Sequence, residues 1–396
     1  MAKILVSFWQ PLIGDSSDNI ICYYESFAEE LKKFGNEVLI LNRILFTDAY
    51  FRSYAKEHED FLVEEVRKFN PDLIIAFNNQ IFECVLENTN CPVGLFDADS
   101  SYLFSSKDCI SKYIERYFMV THYENWENVY GEMGFSREKI CTIKIATSCR
   151  REEKEKNKNI SFIGTKFLQT VSENIRNYLT ENKPNIYKML KKHWSSGSYD
   201  YEELLKEFCP DLTCTKHDIA QIFDWRNYVL SSLLDLGLNL YGVGWRDGED
   251  NNIALMSAYD STPKFSLKHN QDVYNESKIC LSISHPQTRG YAFPWRVYDI
   301  MATSGMLISS YSSLLKEQTK DFVDIPMYNS PYDARDLCKK YLKEANMRED
   351  VVCACNDFIE KHGRWESNFR ELETFFRVKL INTKAGSIKF LKPPLQ

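Results

Sequence analysis

Short, nearly continuous apolar runs alternate along the chain with segments whose apolar residues recur every three or four positions. Lys3 to Trp9 (KILVSFW) is the first such run, and its unbroken apolarity predicts a strand buried on both faces of a parallel sheet. A helix over Ile20 to Phe34, stopped by Gly35, and a strand over Val38 to Leu41 complete a βαβ unit. The alternation continues through a helix at Glu59 to Phe69, a strand at Pro71 to Ala76, a helix at Gln80 to Asn88 and strands at Pro92 to Phe96 and Tyr117 to Val120. Arg150 to Lys158 (RREEKEKNK) has no apolar member and reads as a solvated linker at a domain boundary. Beyond it come a strand at Ile160 to Thr165 and a charged helical stretch from Val171 to Phe223 that reads as an insertion. A helix, Gly237 and a strand at Leu238 to Tyr241 follow, then a short helix carrying Asn275 and Lys278 and a strand at Ile279 to Ile283. The last parts are a helix at Val297 to Ala302, a strand at Met306 to Ser309, an edge strand within Asp321 to Met327 and helices over Asp333 to Ala345 and Glu349 to Phe376. The pattern predicts an α/β protein with parallel sheets.

The stretch from Ser282 to Ser310 organises the second half. Its loop, Ser284 to Pro294, carries His285, Arg289, Gly290 and a proline just before a helix opens near Arg296. A helix N-terminus behind such a loop favours an anion, and Arg289 and Arg296 add full charges with bidentate geometry. Phosphate is the expected ligand.

A chain of 396 residues exceeds the usual limit of one core, and 44% hydrophobic with 27% charged residues is ordinary for a folded globular protein. The net charge of −7 argues against nucleic acid as a bulk partner. The twelve cysteines lack metal-type spacing, and the first strand begins at the N-terminus without a leader, so a reducing cytoplasm is expected. No apolar run is long enough to span a membrane. The tail Arg377 to Gln396 holds five basic residues and no acidic one; it reads either as packed on the body or as a weak contact with an anionic membrane surface, peripheral to its inner face. The first strand is not followed by G-x-G-x-x-G, which argues against NAD or FAD.

The residues from Ile160 to Ser310 resemble the nucleotide-sugar-binding half of GT-B glycosyltransferases, and most closely the CgeB-like group. The resemblance is carried by ISFIGT with Gly164, by YGVGW with Gly242 and Gly244, and by Arg296, Asp299, Ala302 to Gly305 and Leu307 to Ser310. In the first half, GLFDADS, with Asp97 and Asp99, is similar to a strand end of the same group. The pair of Glu residues that many retaining members carry is incomplete, with Tyr291 at the first position and Asp299 standing for the second, so the stereochemical outcome stays open.

The resemblance implies two Rossmann-like domains with parallel sheets facing across a cleft: residues 1–154 for the acceptor, 155–350 for the nucleotide-sugar with an insertion near 171–223, and 351–396 crossing back to the first domain. It implies a hexosyltransferase that uses a UDP- or GDP-linked sugar and a glycan, lipid-linked or protein acceptor, without metal or other cofactor, in a bacterial cell-surface glycan pathway. The donor set is Gly164, Gly242, Gly244, Lys278, His285, Arg289, Gly290, Arg296 and Asp299. Each has a plain alternative: a turn for Gly164, an exposed lysine for Lys278.

For the base that takes the acceptor proton, Asp15 is expected, in the Gly-containing loop after the first strand, with Asp18 better placed as a helix cap. His122, at a later strand end, is the reserve. Asp97 and Asp99 spell a DxD, but they fall in the acceptor half and also suit a helix cap. Two rivals remain: a binding or structural protein that kept the fold, and a nucleotide-sugar epimerase.

Overall fold

In the computed structural model, residues 1–11, 19–47, 58–98, 101, 104–122, 127–166, 177–178, 181–196, 201–212, 225–246, 252–285 and 292–393 are described. The chain forms two compact units. One comprises Met1–Ser148 with His362–Gln396, and the other Cys149–Lys361.

The first unit holds a seven-stranded parallel sheet in the order β12-β2-β1-β3-β4-β5-β6. The strands are β1 (Lys3–Phe8), β2 (Glu37–Asn42), β3 (Leu73–Phe77), β4 (Val93–Phe96), β5 (Tyr117–Thr121), β6 (Ile140–Thr142) and β12 (Ser387–Phe390). The apolar strand residues have no polar face to give to water, so helices cover both sides. On one side the helix Cys22–Lys33 and the C-terminal helix Trp365–Phe376 meet the sheet in a cluster of rings. Phe27 lies edge-on to Phe77, Phe96, Trp365 and Phe369, with centroids 5.1–5.6 Å apart. Trp365 also donates from Nε1 to Ser26 Oγ at 2.9 Å, which satisfies its one polar atom in the core. Aromatic residues that read as a packing stripe in the last helix therefore complete the first unit's core.

The tail is packed rather than free. Leu380 and Leu391 are buried, and Ser387–Phe390 adds a parallel edge strand to β2. Lys389 pairs with Glu65 at 2.8 Å, an exposed contact that blunts this edge. No described helix is long and apolar enough to cross a membrane.

The second unit holds a five-stranded parallel sheet in the order β11-β10-β9-β7-β8: β7 (Lys158–Ile163), β8 (Leu238–Tyr241), β9 (Ser277–Ser282), β10 (Met306–Ser310) and β11 (Met327–Tyr328). Within the stretch expected as an insertion, helices Lys183–Ser196 and Tyr201–Phe208 enclose a small apolar cluster of their own around Met189, Leu190, Leu204 and Leu205.

The charge run corrects its reading as a solvated linker, because most of it is tied down within the second unit. Lys156 Nζ donates to the carbonyls of Asn275, Ser277 and Ser304 at 2.7–3.0 Å, and Lys154 and Lys158 pair with Asp272 and Glu276. The lysines of the run satisfy the end of the helix Leu267–Glu276, while Arg151, Glu153, Glu155 and Asn157 between them face water.

Candidate functional site

In open α/β sheets, ligands bind outside the carboxyl ends of the strands, where the strand order reverses. In the second unit the chain runs outward from β7 to β8, then returns to β9 on the other side of β7. Gly164 follows β7, and Ser284 and His285 follow β9, so the loops flanking this reversal are the ones singled out from the sequence.

Arg296 opens the helix Arg296–Met301. Its guanidinium carbon lies 5.5 Å from the centre of the Phe162 ring, and its Nη1 is buried without a hydrogen-bond partner among the described residues. Burial lowers its pKa from the ordinary arginine value, with Tyr274, Asp299 and Tyr328 acting in the opposite sense. Arginine stays charged even so, and a buried donor left unmade costs about 1–3 kcal/mol, more when charged. Asp299, buried one turn along the same helix, supplies part of the compensating field.

Gly164 makes room for this guanidinium. A Cβ there would lie 2.7 Å from Phe162 Cζ and 2.9 Å from Arg296 Nη1. A second arginine shares the ring. Arg226, buried in the helix Trp225–Ser231, also lies with its guanidinium carbon 5.5 Å from the Phe162 centre, and it donates to the Thr165 carbonyl. Two cations thus converge on one aromatic ring at the end of β7.

Gly242 and Gly244 seat the neighbouring loop. Both have positive φ, +119° and +81°. A Cβ on Gly242 would lie 2.2 Å from the Gly164 carbonyl oxygen, so the two backbones can approach only through glycine. Trp245 Nε1 donates to that same oxygen at 2.8 Å, and the Tyr259 hydroxyl donates to the Gly242 carbonyl at 2.9 Å. Trp245 is itself buried and holds the loop.

The ends of β9 and β10 are lined by serines. Ser284 N–H donates to Ser310 Oγ at 2.8 Å and Tyr328 OH to the Ser282 carbonyl at 3.0 Å, while buried Ser282 Oγ has no partner among the described residues. His285 follows, half-buried. Arg289 and Gly290 lie outside the described residues.

Lys278 is the correction in this set. It is not on a helix but second in β9, near the amino end of the sheet, and its Nζ donates to Asn159 Oδ1 at 2.9 Å. Ser282 is four positions further along the strand, about 13 Å at strand rise, so Lys278 stands away from the ligand edge.

In the first unit, Asp15, Asp18 and Asp99 lie outside the described residues. Asp97 is buried and accepts from the Tyr130 hydroxyl. His122 is buried at the end of β5 with both ring nitrogens engaged: Nδ1 is 3.1 Å from the Ile143 carbonyl and Nε2 is 3.3 Å from the Tyr23 hydroxyl. A carbonyl only accepts, so Nδ1 carries the proton and Nε2 receives one from Tyr23. Burial pulls the His122 pKa down to about 4, leaving the ring neutral. The reserve role as a general base is corrected on this geometry, because the lone pair a base would use is held by Tyr23.

Phe162 and Arg226 were not among the residues expected. A charge inside the otherwise apolar WRNYVLSSLL was the available signal for Arg226.

Residues 226–374 match a family model described as glycosyl transferase-like. That stretch is therefore glycosyl transferase-like. No curated protein matches it in sequence. Among solved structures, it is similar to Anabaena HepE, solved with UDP-glucose, at TM-score 0.50 and 10% identity over 96% of this chain and 100% of that one. It is equally similar to an alpha-glucosyltransferase solved with UDP and a 13-mer DNA, at TM-score 0.50 and 11% identity over 95% of this chain and 99% of that one. At these identities the likeness bears on the fold alone, and the fold is GT-B, with a parallel Rossmann-like sheet in each unit.

Proposed function

We propose that the protein is a glycosyltransferase that takes its sugar from a UDP- or GDP-linked donor whose diphosphate lies against Arg296 at the carboxyl ends of β7 and β9. The observation that carries the reading is the buried Nη1 of Arg296, which has no partner among the described residues and lies beside a glycine whose side chain would close the space. A diphosphate oxygen supplies the missing acceptor. As the bond from the anomeric carbon to the diphosphate breaks, charge gathers on the leaving group. A preformed cation in a desolvated setting then stabilises the transition state more than the ground state. Arg226, on the same ring, adds to this field.

The acceptor is a hydroxyl of a glycan, lipid-linked or protein substrate bound by the first unit, and its proton passes to the carboxylate of Asp15. Two arginines at the leaving group take the place of a divalent cation, so the reaction runs without metal. The CgeB-like subgroup, a bacterial cell-surface glycan and a cytoplasmic setting belong to the same proposal. No disulfide joins the eleven described cysteines, which suits a reducing compartment. An orphaned guanidinium at a ligand edge favours this reading over a structural protein that merely kept the fold, which would gain by losing it.

Thermal shift with UDP, GDP and CMP is the test. A rise in melting temperature with UDP or GDP that disappears in Arg296→Ala supports the reading, and no response to any nucleotide overturns it.

A further inference from the structure

The first unit has its own reversal of strand order, between β1 and β3, and the carboxyl edge there holds a second unneutralised guanidinium. Arg43 directly follows β2. Its Nη1 donates to Gln80 Oε1 at 3.0 Å and to Ser105 Oγ at 2.6 Å, and its guanidinium carbon lies 4.8 Å from the centre of the Phe82 ring. All of these partners are uncharged. No carboxylate among the described residues pairs with Arg43, and its Nε and Nη2 have no hydrogen-bond partner there.

The Nε and Nη2 edge of arginine is one of its two forks for a carboxylate or phosphate. Here that fork is unspent, while the other end of the group is braced by three neighbours. The brace is built from strained backbone: Asn78 and Asn79, just after β3, have φ of 50° and 54°, and Asn79 Nδ2 donates to the Ser105 carbonyl at 2.8 Å. Two successive left-handed asparagines at a ligand edge place Gln80 and Ser105 where they grip Arg43.

Trp9 stands beside it. Phe8 and Asn42 are the last partners across β1 and β2, so Trp9 and Arg43 each follow directly on neighbouring strand ends. Gln10 N–H donates to Asn42 Oδ1 at 3.2 Å and Asn42 Nδ2 to the Gln10 carbonyl at 3.3 Å, which holds the two chain ends together. Trp9 is 45% exposed, a large ring offered to solvent next to a braced cation.

We propose that Arg43 and Trp9 select an acidic saccharide as acceptor: the ring stacks on the apolar face of a sugar, and the free fork of Arg43 binds a carboxylate or phosphate on it. The inference rests on the first unit holding the acceptor. Titration calorimetry on the full chain with cellobiose, cellobiouronic acid and cellobiose 6′-phosphate separates the sources of charge. The expected result is at least ten-fold tighter binding of one or both acidic sugars than of cellobiose. Arg43→Gln should bring the acidic sugars to the neutral level and leave cellobiose unchanged, Arg43→Lys should recover part of the difference, and Trp9→Ala should weaken all three. Equal binding of the three sugars, no binding of any, or an Arg43→Gln variant that loses neutral and acidic sugars alike would overturn it. UDP is titrated into the same samples: its failure to bind would sink the donor assignment while leaving the acidic preference readable, and its retention in Arg43→Gln shows that the variant is folded.

Discussion

Arg296 and Phe162 meet at the end of β7, the guanidinium carbon 5.5 Å from the ring centre, with one guanidinium nitrogen buried and unpartnered among the described residues. The ring supplies a cation–π contact worth roughly 1–2 kcal/mol when desolvated, which holds the charge without neutralising it. A cation kept this way is unfavourable in the empty protein and favourable once an anion arrives.

Gly164 is the first test of that geometry. Gly164→Ala puts a methyl group against both Phe162 and Arg296 Nη1, so the guanidinium must move. Donor affinity should fall by roughly ten-fold, about 1.4 kcal/mol. Calorimetry with UDP reads this directly, and the wild-type affinity in the variant would show that the guanidinium is not where the donor binds.

Gly242 should behave differently. Its φ of +119° and the 2.2 Å approach of the Gly164 carbonyl make Gly242→Ala a backbone problem, with an expected loss of about 1–3 kcal/mol in urea unfolding. Gly242→Ala at full stability would contradict the packing described for the loops after β7 and β8.

His122 should make stability depend on pH. Its pKa is pulled from 6.5 down to about 4 in the folded protein, so the unfolded chain binds the extra proton between these values. Its contribution is therefore complete above pH 6.5 and is lost as pH falls towards 4, up to about 3 kcal/mol. His122→Gln should be less stable at pH 7 but show a flatter profile from pH 6.5 to 4. Superimposable slopes for the two proteins would mean that His122 titrates normally.

Asp15→Asn should abolish transfer to acceptor while leaving UDP affinity intact, and transfer by the wild type should survive EDTA. Near-normal turnover in Asp15→Asn would remove it as the base. Loss of activity on chelation with rescue by Mn²⁺ or Mg²⁺ would return attention to Asp97 and Asp99.

Much of the architecture was legible because buried parallel strands are written as unbroken apolar runs, as in Lys3 to Phe8 and Met306 to Ser310. The strand Ser387–Phe390 was not, since its sequence, SIKF, alternates and becomes a strand only by pairing with β2. Lys278 was misplaced because the helix ending at Glu276 passes into β9 with no intervening loop; Ser277 Oγ, 2.6 Å from the Val273 carbonyl and 2.7 Å from Ser161 Oγ, marks the change. Arg296 could be found from its loop and following helix. Its relation to Phe162 and Arg226 could not, because the three lie far apart in the chain and meet only when β7 pairs with β8 and β9.

The central claim is that Arg296 holds the donor diphosphate, and titration calorimetry with UDP and GDP on wild type and Arg296→Ala tests it most directly. A charge-assisted contact of about 1.5–3 kcal/mol predicts a ten- to hundred-fold weaker dissociation constant in the variant. Thermal stability should be unchanged or higher, because a buried unpaired donor has been removed. Equal nucleotide affinity in the two proteins would contradict the account.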